Sequence, residues 1–160
     1  MQPQTHFAIG RMLIAHTKAL TSAGEAAVLG VYRRPARVYL RRLTGIEAHL
    51  ATTEGPAAHT SALPGAVERI RDGRITEVTA GLCAVAFAGE VHFDRDGQSR
   101  IGTAVLVDGA VGHLTWEPDG SEPNWRLFPD ATRAVDEWMI GLFTVLTALT
   151  GNSVKWGGAA

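Results

Sequence analysis

The side chains best placed for chemistry lie between Glu90 and Glu117. Glu90, His92 and Asp94 are spaced i, i+2, i+4, so on an extended strand all three point to one side. Two hairpin signals follow, Asp96-Gly97 and Asp108-Gly109, each between runs of alternating polarity. Read as a three-residue loop with Gly97 in the left-handed position, Arg95-Asp96-Gly97 sets Phe93 opposite Ser99, Val91 opposite Ile101 and Val85 opposite Val107. One face is then cleanly apolar, whereas a two-residue turn mixes both faces, so the buried face selects the longer loop. With Asp108-Gly109 as a two-residue turn, Ile101 meets Trp116 and Thr103 meets Leu114.

This register predicts a polar row, His92–Arg100–Glu117, with Glu90 and Asp94 flanking His92, and His113 and Thr115 following along the third strand. A histidine among carboxylates titrates near neutrality, which suits proton transfer or a small polar ligand. On a solvated sheet the same row amounts to cross-strand ion pairs, each worth under ~1 kcal/mol. Ala86, Ala88, Ala104 and Leu106 on that face imply that part of it is covered.

Other chemistries find weaker footing. His92, Asp94 and His113 make the best metal set, but no compact His/Cys spacing accompanies them, so neither metal nor cofactor is expected. Cys83, the one cysteine, sits in the apolar run Leu82-Cys83-Ala84-Val85 and reads as a small buried hydrophobe. No nucleophile elbow, phosphate loop or dinucleotide fingerprint occurs. His16 falls on an apolar helix stripe and reads as a core histidine.

The second candidate is basic. Arg33, Arg34, Arg37, Arg41 and Arg42 follow one another closely, with Tyr32 and Tyr39 among them. Arginine beside tyrosine can grip phosphate and stack on bases, or it can dock on an acidic protein surface. It can also be a plain solvated face. Proline suits a first helical turn, so a helix is predicted from Pro35 to about Thr52, burying Tyr39, Leu40, Leu43, Ile46 and Leu50. Helix-turn-helix, RNP-like and zinc-module patterns are absent, which leaves sequence-specific DNA reading without support.

Around these sites the chain orders itself as helices, then strands, then a helix. Residues 4–20 form a helix through Ile9, Leu13, His16 and Leu20, and 64–72 form another closed by Gly73. Period-two runs span 82–94, 101–107 and 110–117, with shorter strands at 74–79 and 124–128. Asp130 then caps a long apolar helix over 131–150, ended by Gly151. Its stripe is Val135, Trp138, Met139, Leu142, Leu146 and Leu149, and its breadth makes it a central core helix or a subunit interface. The expected fold is one α+β domain over 1–160: a helical basic half (1–73), an antiparallel meander of three to five strands (74–128) and the C-terminal helix (130–151).

Composition bounds the rest. The 160 residues are 46% hydrophobic and 19% charged, enough to bury a core and too apolar for a disordered chain. A lone cysteine excludes an internal disulfide framework. The apolar stretch 138–149 falls short of the ~20 residues a bilayer crossing needs, and the first residues lack a signal peptide's basic start, so a cytoplasmic location is expected. Thirteen arginines against two lysines, with abundant alanine and glycine, match the composition of a high-GC bacterium or its phage.

The formal charge of −1 hides an asymmetry. Ten basic and five acidic residues precede Ile75, and five basic and eleven acidic follow, leaving +5 and −6. A basic surface on the first half is therefore open to an acidic protein, a second copy or a nucleic acid. Three functions remain: a non-catalytic binding or assembly subunit that self-associates or docks in a larger complex through the basic helical half and the apolar C-terminal helix, an accessory nucleic-acid binder through Arg33–Arg42, or a small enzyme or ligand binder at His92, Arg100 and Glu117.

Overall fold

Alternation prevails over helical spacing in the first half of the chain, and this decides the architecture. The computed structural model describes residues 3–22, 27–51, 56–93, 97–116, 124–128 and 137–151. Its elements are α1 (Pro3–Ser22), β1 (Ala27–Arg34), β2 (Arg37–Arg42), α2 (Thr44–Leu50), α3 (Pro56–Arg71), β3 (Leu82–Phe93), β4 (Gly97–Leu106), β5 (Val111–Trp116), β6 (Asn124–Phe128) and α4 (Glu137–Thr150). The strands form one antiparallel sheet in the order β2-β1-β3-β4-β5-β6, so the fold is α+β.

Helices cover both faces of the sheet. On one side α1 lays Ile9 and Leu13 over Leu29, Val31, Ala84, Ala86, Ala88 and Leu106. The small alanines of β3 let that helix lie close, which is the covering the sequence implied for Ala86 and Ala88. On the other side α2, α3 and α4 bury Ile46, Leu63, Leu142, Phe143 and Leu146 against Val28, Val85, Phe87, Val105 and Val111. Full burial of side chains of this size is worth about 1.5–3 kcal/mol each. At the far edge, Trp125 of β6 lies over Gly112 of β5, where any side chain would run into the indole ring.

The helix expected from Pro35 is a hairpin followed by a short helix. Arg34 pairs with Arg37 across Pro35-Ala36, and the ladder continues through Tyr32–Tyr39 and Gly30–Arg41. Proline sets φ for the first turn position, and the turn contains no residue at positive φ. Arg37-Val38-Tyr39-Leu40-Arg41 then sends Tyr39 toward the three-helix core and Leu40 toward the α1 core, a split that one helix stripe cannot make. The expected stripe survives only in Leu43, Ile46 and Leu50, all buried. The basic half is thus not wholly helical.

Other boundaries differ for local reasons. Helix α3 begins eight residues earlier than proposed and carries Pro64 in its interior, so that proline is not its start. No strand forms over 74–79; Ile75 is buried instead, and the Glu77 carboxylate accepts the Gly45 N–H at 2.9 Å. Helix α4 spans 14 residues, and the longer C-terminal helix is not seen, its proposed start lying outside the described residues. It buries Met139, Leu142, Phe143, Val145, Leu146 and Leu149, while Ile140 is 39% exposed. Strand β6 falls where the sequence places it.

Both hairpin registers are corrected. Phe93 pairs with Gly97 and Val85 with Val105, a two-residue slip from the proposed pairing that keeps each side chain on its face. At the next turn Leu106 N–H donates to Ala110 C=O at 3.0 Å and Gly109 N–H to Leu106 C=O at 2.9 Å. The loop is therefore the three residues Val107-Asp108-Gly109, with Gly109 at φ 87° in the left-handed region. One extra loop residue exchanges the faces, so Thr103 meets His113 and Leu114 meets Gly102.

Candidate functional site

The hairpin places its arginines at one edge of the sheet. Among the described residues strand β2 pairs with β1 alone and has no second neighbouring strand. Leu43 N–H donates to Val28 C=O at 2.8 Å, extending the ladder in step with Gly30–Arg41, Tyr32–Tyr39 and Arg34–Arg37. In an antiparallel pair these are the hydrogen-bonded positions, so the backbone groups of Val38, Leu40 and Arg42 point outward from the edge.

Side chains alternate with the same period. Arg37, Tyr39 and Arg41 share the three-helix face with Arg34, while Val38 and Leu40 turn to the α1 face. Tyr39 is half-buried and stacks on Tyr32, their ring centroids 5.3 Å apart and the planes 16° from parallel. The Arg37 guanidinium lies 5.6 Å from the Tyr39 ring centroid and that of Arg34 6.0 Å, within cation–π range. Tyr32 is 0% exposed, and its hydroxyl donates to Val78 C=O at 2.6 Å. Burial, followed by the charge of Glu77, pushes that hydroxyl's pKa up, so it remains a donor. The visible ring thus rests on a fixed one beneath it.

The charges of this edge are mostly uncompensated. Arg42 is the exception: its Nε donates to both carboxylate oxygens of Glu47, at 2.7 and 3.0 Å. Arg33, Arg34, Arg37 and Arg41 are exposed and form no ion pair among the described residues. Near the turn Arg33 and Arg34 border an open depression of about 440 Å³ floored by Pro35, Gly81, Leu82 and Cys83. Gly81 has φ 81° and lies so close to Arg33 that an added Cβ would stand 2.7 Å from its carbonyl oxygen. Its own carbonyl accepts the Arg33 N–H at 2.8 Å, which fixes the end of β1. Cys83 is buried and its thiol is pushed up to about 11 by burial, which keeps it protonated and unreactive at neutral pH.

No family model, characterised protein or solved structure matches the chain. The function must be read from the site.

The proposed row His92–Arg100–Glu117 is not in register. His92 stands opposite Gln98, Arg100 opposite Glu90 and Trp116, and Glu117 lies outside the described residues, as does Asp94. The same shift creates a pairing the sequence reading missed. Thr103, 1% exposed, has its hydroxyl 3.1 Å from His113 Nδ1, and His113 lies opposite the exposed Arg126. The signal for it was Gly109, had the second turn been given its third loop residue. Among the described residues no group of three metal-ligating side chains gathers.

Two further histidines lie on α1. His6 Nε2 is 3.0 Å from the Asp108 carboxylate. Burial alone would raise the Asp108 carboxyl, but the Ala110 N–H and His6 outweigh it and hold its pKa below the ordinary value. His16, half-buried, has its Nε2 sealed from solvent without a hydrogen-bond partner. Burial, helped by the nearby Arg42 charge, lowers its pKa and favours the neutral ring. The His6–Asp108 contact ties α1 to the β4–β5 loop.

The arrangement that can bind something is therefore the arginine edge. It offers fixed positive charge, a preset aromatic surface and the outward backbone groups of Val38 and Leu40.

Proposed function

We propose that this chain is a non-catalytic binding subunit that docks into a larger complex by presenting the β1–β2 hairpin to an acidic protein surface. One observation carries the reading: Arg34, Arg37 and Arg41 share one face around Tyr39 at an open sheet edge, and none of them is neutralised among the described residues. Exposed arginines kept together without counter-charges raise the local potential, which steers and orients an anionic partner. Pairing of this edge with a second copy of itself would set Arg37 and Arg41 against their own kind, so the charge favours a different partner. Among the described residues no helix is long and apolar enough to cross a membrane.

The test is a titration of labelled poly-L-glutamate and of single-stranded oligodeoxythymidine into the protein, read by fluorescence anisotropy at several salt concentrations. Poly-L-glutamate should bind, weaken with salt and lose about 100-fold in affinity on Arg37→Glu with Arg41→Glu, while Arg126→Glu on the opposite edge leaves it unchanged. Absence of polyglutamate binding, or tighter binding of the oligonucleotide, would overturn this function. Light scattering without ligand completes the test; a dimer abolished by the same double reversal would assign the edge to self-assembly instead.

A further inference from the structure

We infer that the partner binds by strand addition to β2, through an extended segment that alternates acidic and apolar residues; this rests on the docking function proposed above. The edge sets both requirements. The backbone groups of Val38 and Leu40 point away from β1 and offer a seventh strand its hydrogen bonds. A strand laid there must send alternate side chains to opposite faces. Those on the three-helix face stand beside Arg37, Tyr39 and Arg41, where carboxylates are favoured. Those on the α1 face stand beside Val38 and Leu40, half-buried residues that already pack against the α1 core. An apolar side chain there continues that core outward.

The same geometry excludes the chain's own free strands as occupants. A second β2 would bring arginines against arginines, and β6, Asn124-Trp125-Arg126-Leu127-Phe128, contains no carboxylate. The arginines therefore act twice: they keep like edges apart and admit an acidic strand.

The probe is a labelled seven-residue peptide, Glu-Val-Glu-Val-Glu-Val-Glu, measured against a peptide of the same composition with its glutamates and valines in separate blocks. Affinity is read by anisotropy, and amide hydrogen exchange is followed at Val38 and Leu40. The alternating peptide should bind about tenfold more tightly than the blocked one and slow exchange at those two amides. Methylating the backbone nitrogens of one alternate set of peptide residues should weaken binding about tenfold, and methylating the other set should not, because only one set faces β2. Since the modification is on the peptide, the protein's folding is untouched.

Equal binding of alternating and blocked peptides, with no slowing at the two amides, would overturn strand addition while leaving acidic docking in place. Failure of both peptides while poly-L-glutamate binds would overturn strand addition alone; failure of poly-L-glutamate as well would overturn the docking function and this inference together.

Discussion

The two edges of the sheet solve the same problem differently. Strand β6 is short and held by packing on its face: Trp125 lies over Gly112, and Trp125 and Leu127 pack against the α1-side core. It carries one arginine, Arg126, and spans five residues. Strand β2 has outward-pointing backbone groups and is guarded by charge, with Arg37, Arg41 and Arg42 on the strand and Arg34 across the turn. An exposed strand edge invites pairing with other chains, and a short strand or a row of charge opposes it. The difference is what each still permits. Packing fixes β6 in place without selecting a partner by charge, whereas a charged edge repels its own kind and favours the opposite sign.

The sharpest break in the comparison lies at the packed edge. Gly112→Leu forces a side chain into the space of the Trp125 ring and should cost about 3 kcal/mol of stability, read by urea unfolding. Val38→Ala on β2, a partly buried site beside the α1-side core, should cost about 1 kcal/mol. Equal costs would mean that β6 is not held by packing.

Next in size is the binding contrast. Arg37→Glu with Arg41→Glu should abolish retention of acidic peptide, a loss of about 2.7 kcal/mol for each hundredfold, and Arg126→Glu should not. Thermal melts of both variants should match the parent, because none of the three residues forms an ion pair among the described residues.

A smaller effect separates Arg42 from its neighbours. Arg42→Gln removes the pair with Glu47 and should cost under ~1 kcal/mol, fading as salt is raised. Arg37→Gln should cost nothing measurable and show no salt dependence in stability.

The smallest effects concern the ties of α1 to the sheet, and their sign follows from proton binding. His16 has a lowered pKa in the folded chain, so below its ordinary 6.5 the unfolded chain binds the proton first and stability falls. The Tm should drop between pH 7.5 and 5.5, and His16→Leu should remove that drop. Asp108 also has a lowered pKa, so its contribution is complete above its ordinary 3.8 and is lost as the pH falls below that value. Asp108→Asn should flatten that acidic limb.

Local signals alone were enough to place much of this molecule. The 3.6-residue spacing of α1 and the period-two runs of β3, β4 and β5 are properties of the chain itself, because one face of each must leave water. The edge strand Asn124–Phe128 and the stop at Gly151, φ 69°, were equally legible. So was the presence of a basic cluster with interleaved tyrosines, and so was the burial of Cys83.

What the sequence left undecided turns on contacts between distant segments. Residues 35–42 satisfy helical spacing as well as alternation, and pairing with β1 selects the strand because it gives Tyr39 and Leu40 separate cores. A register slip of two keeps every face, so periodicity could not separate Val85–Val105 from Val85–Val107. A slip of one, set by the Val107-Asp108-Gly109 loop, moved Thr103 beside His113 and dissolved the expected row at Arg100. The charges themselves were in the sequence from the start. Only the tertiary structure put them on an open edge, because a strand's neighbours, unlike its side-chain pattern, are chosen by the rest of the chain.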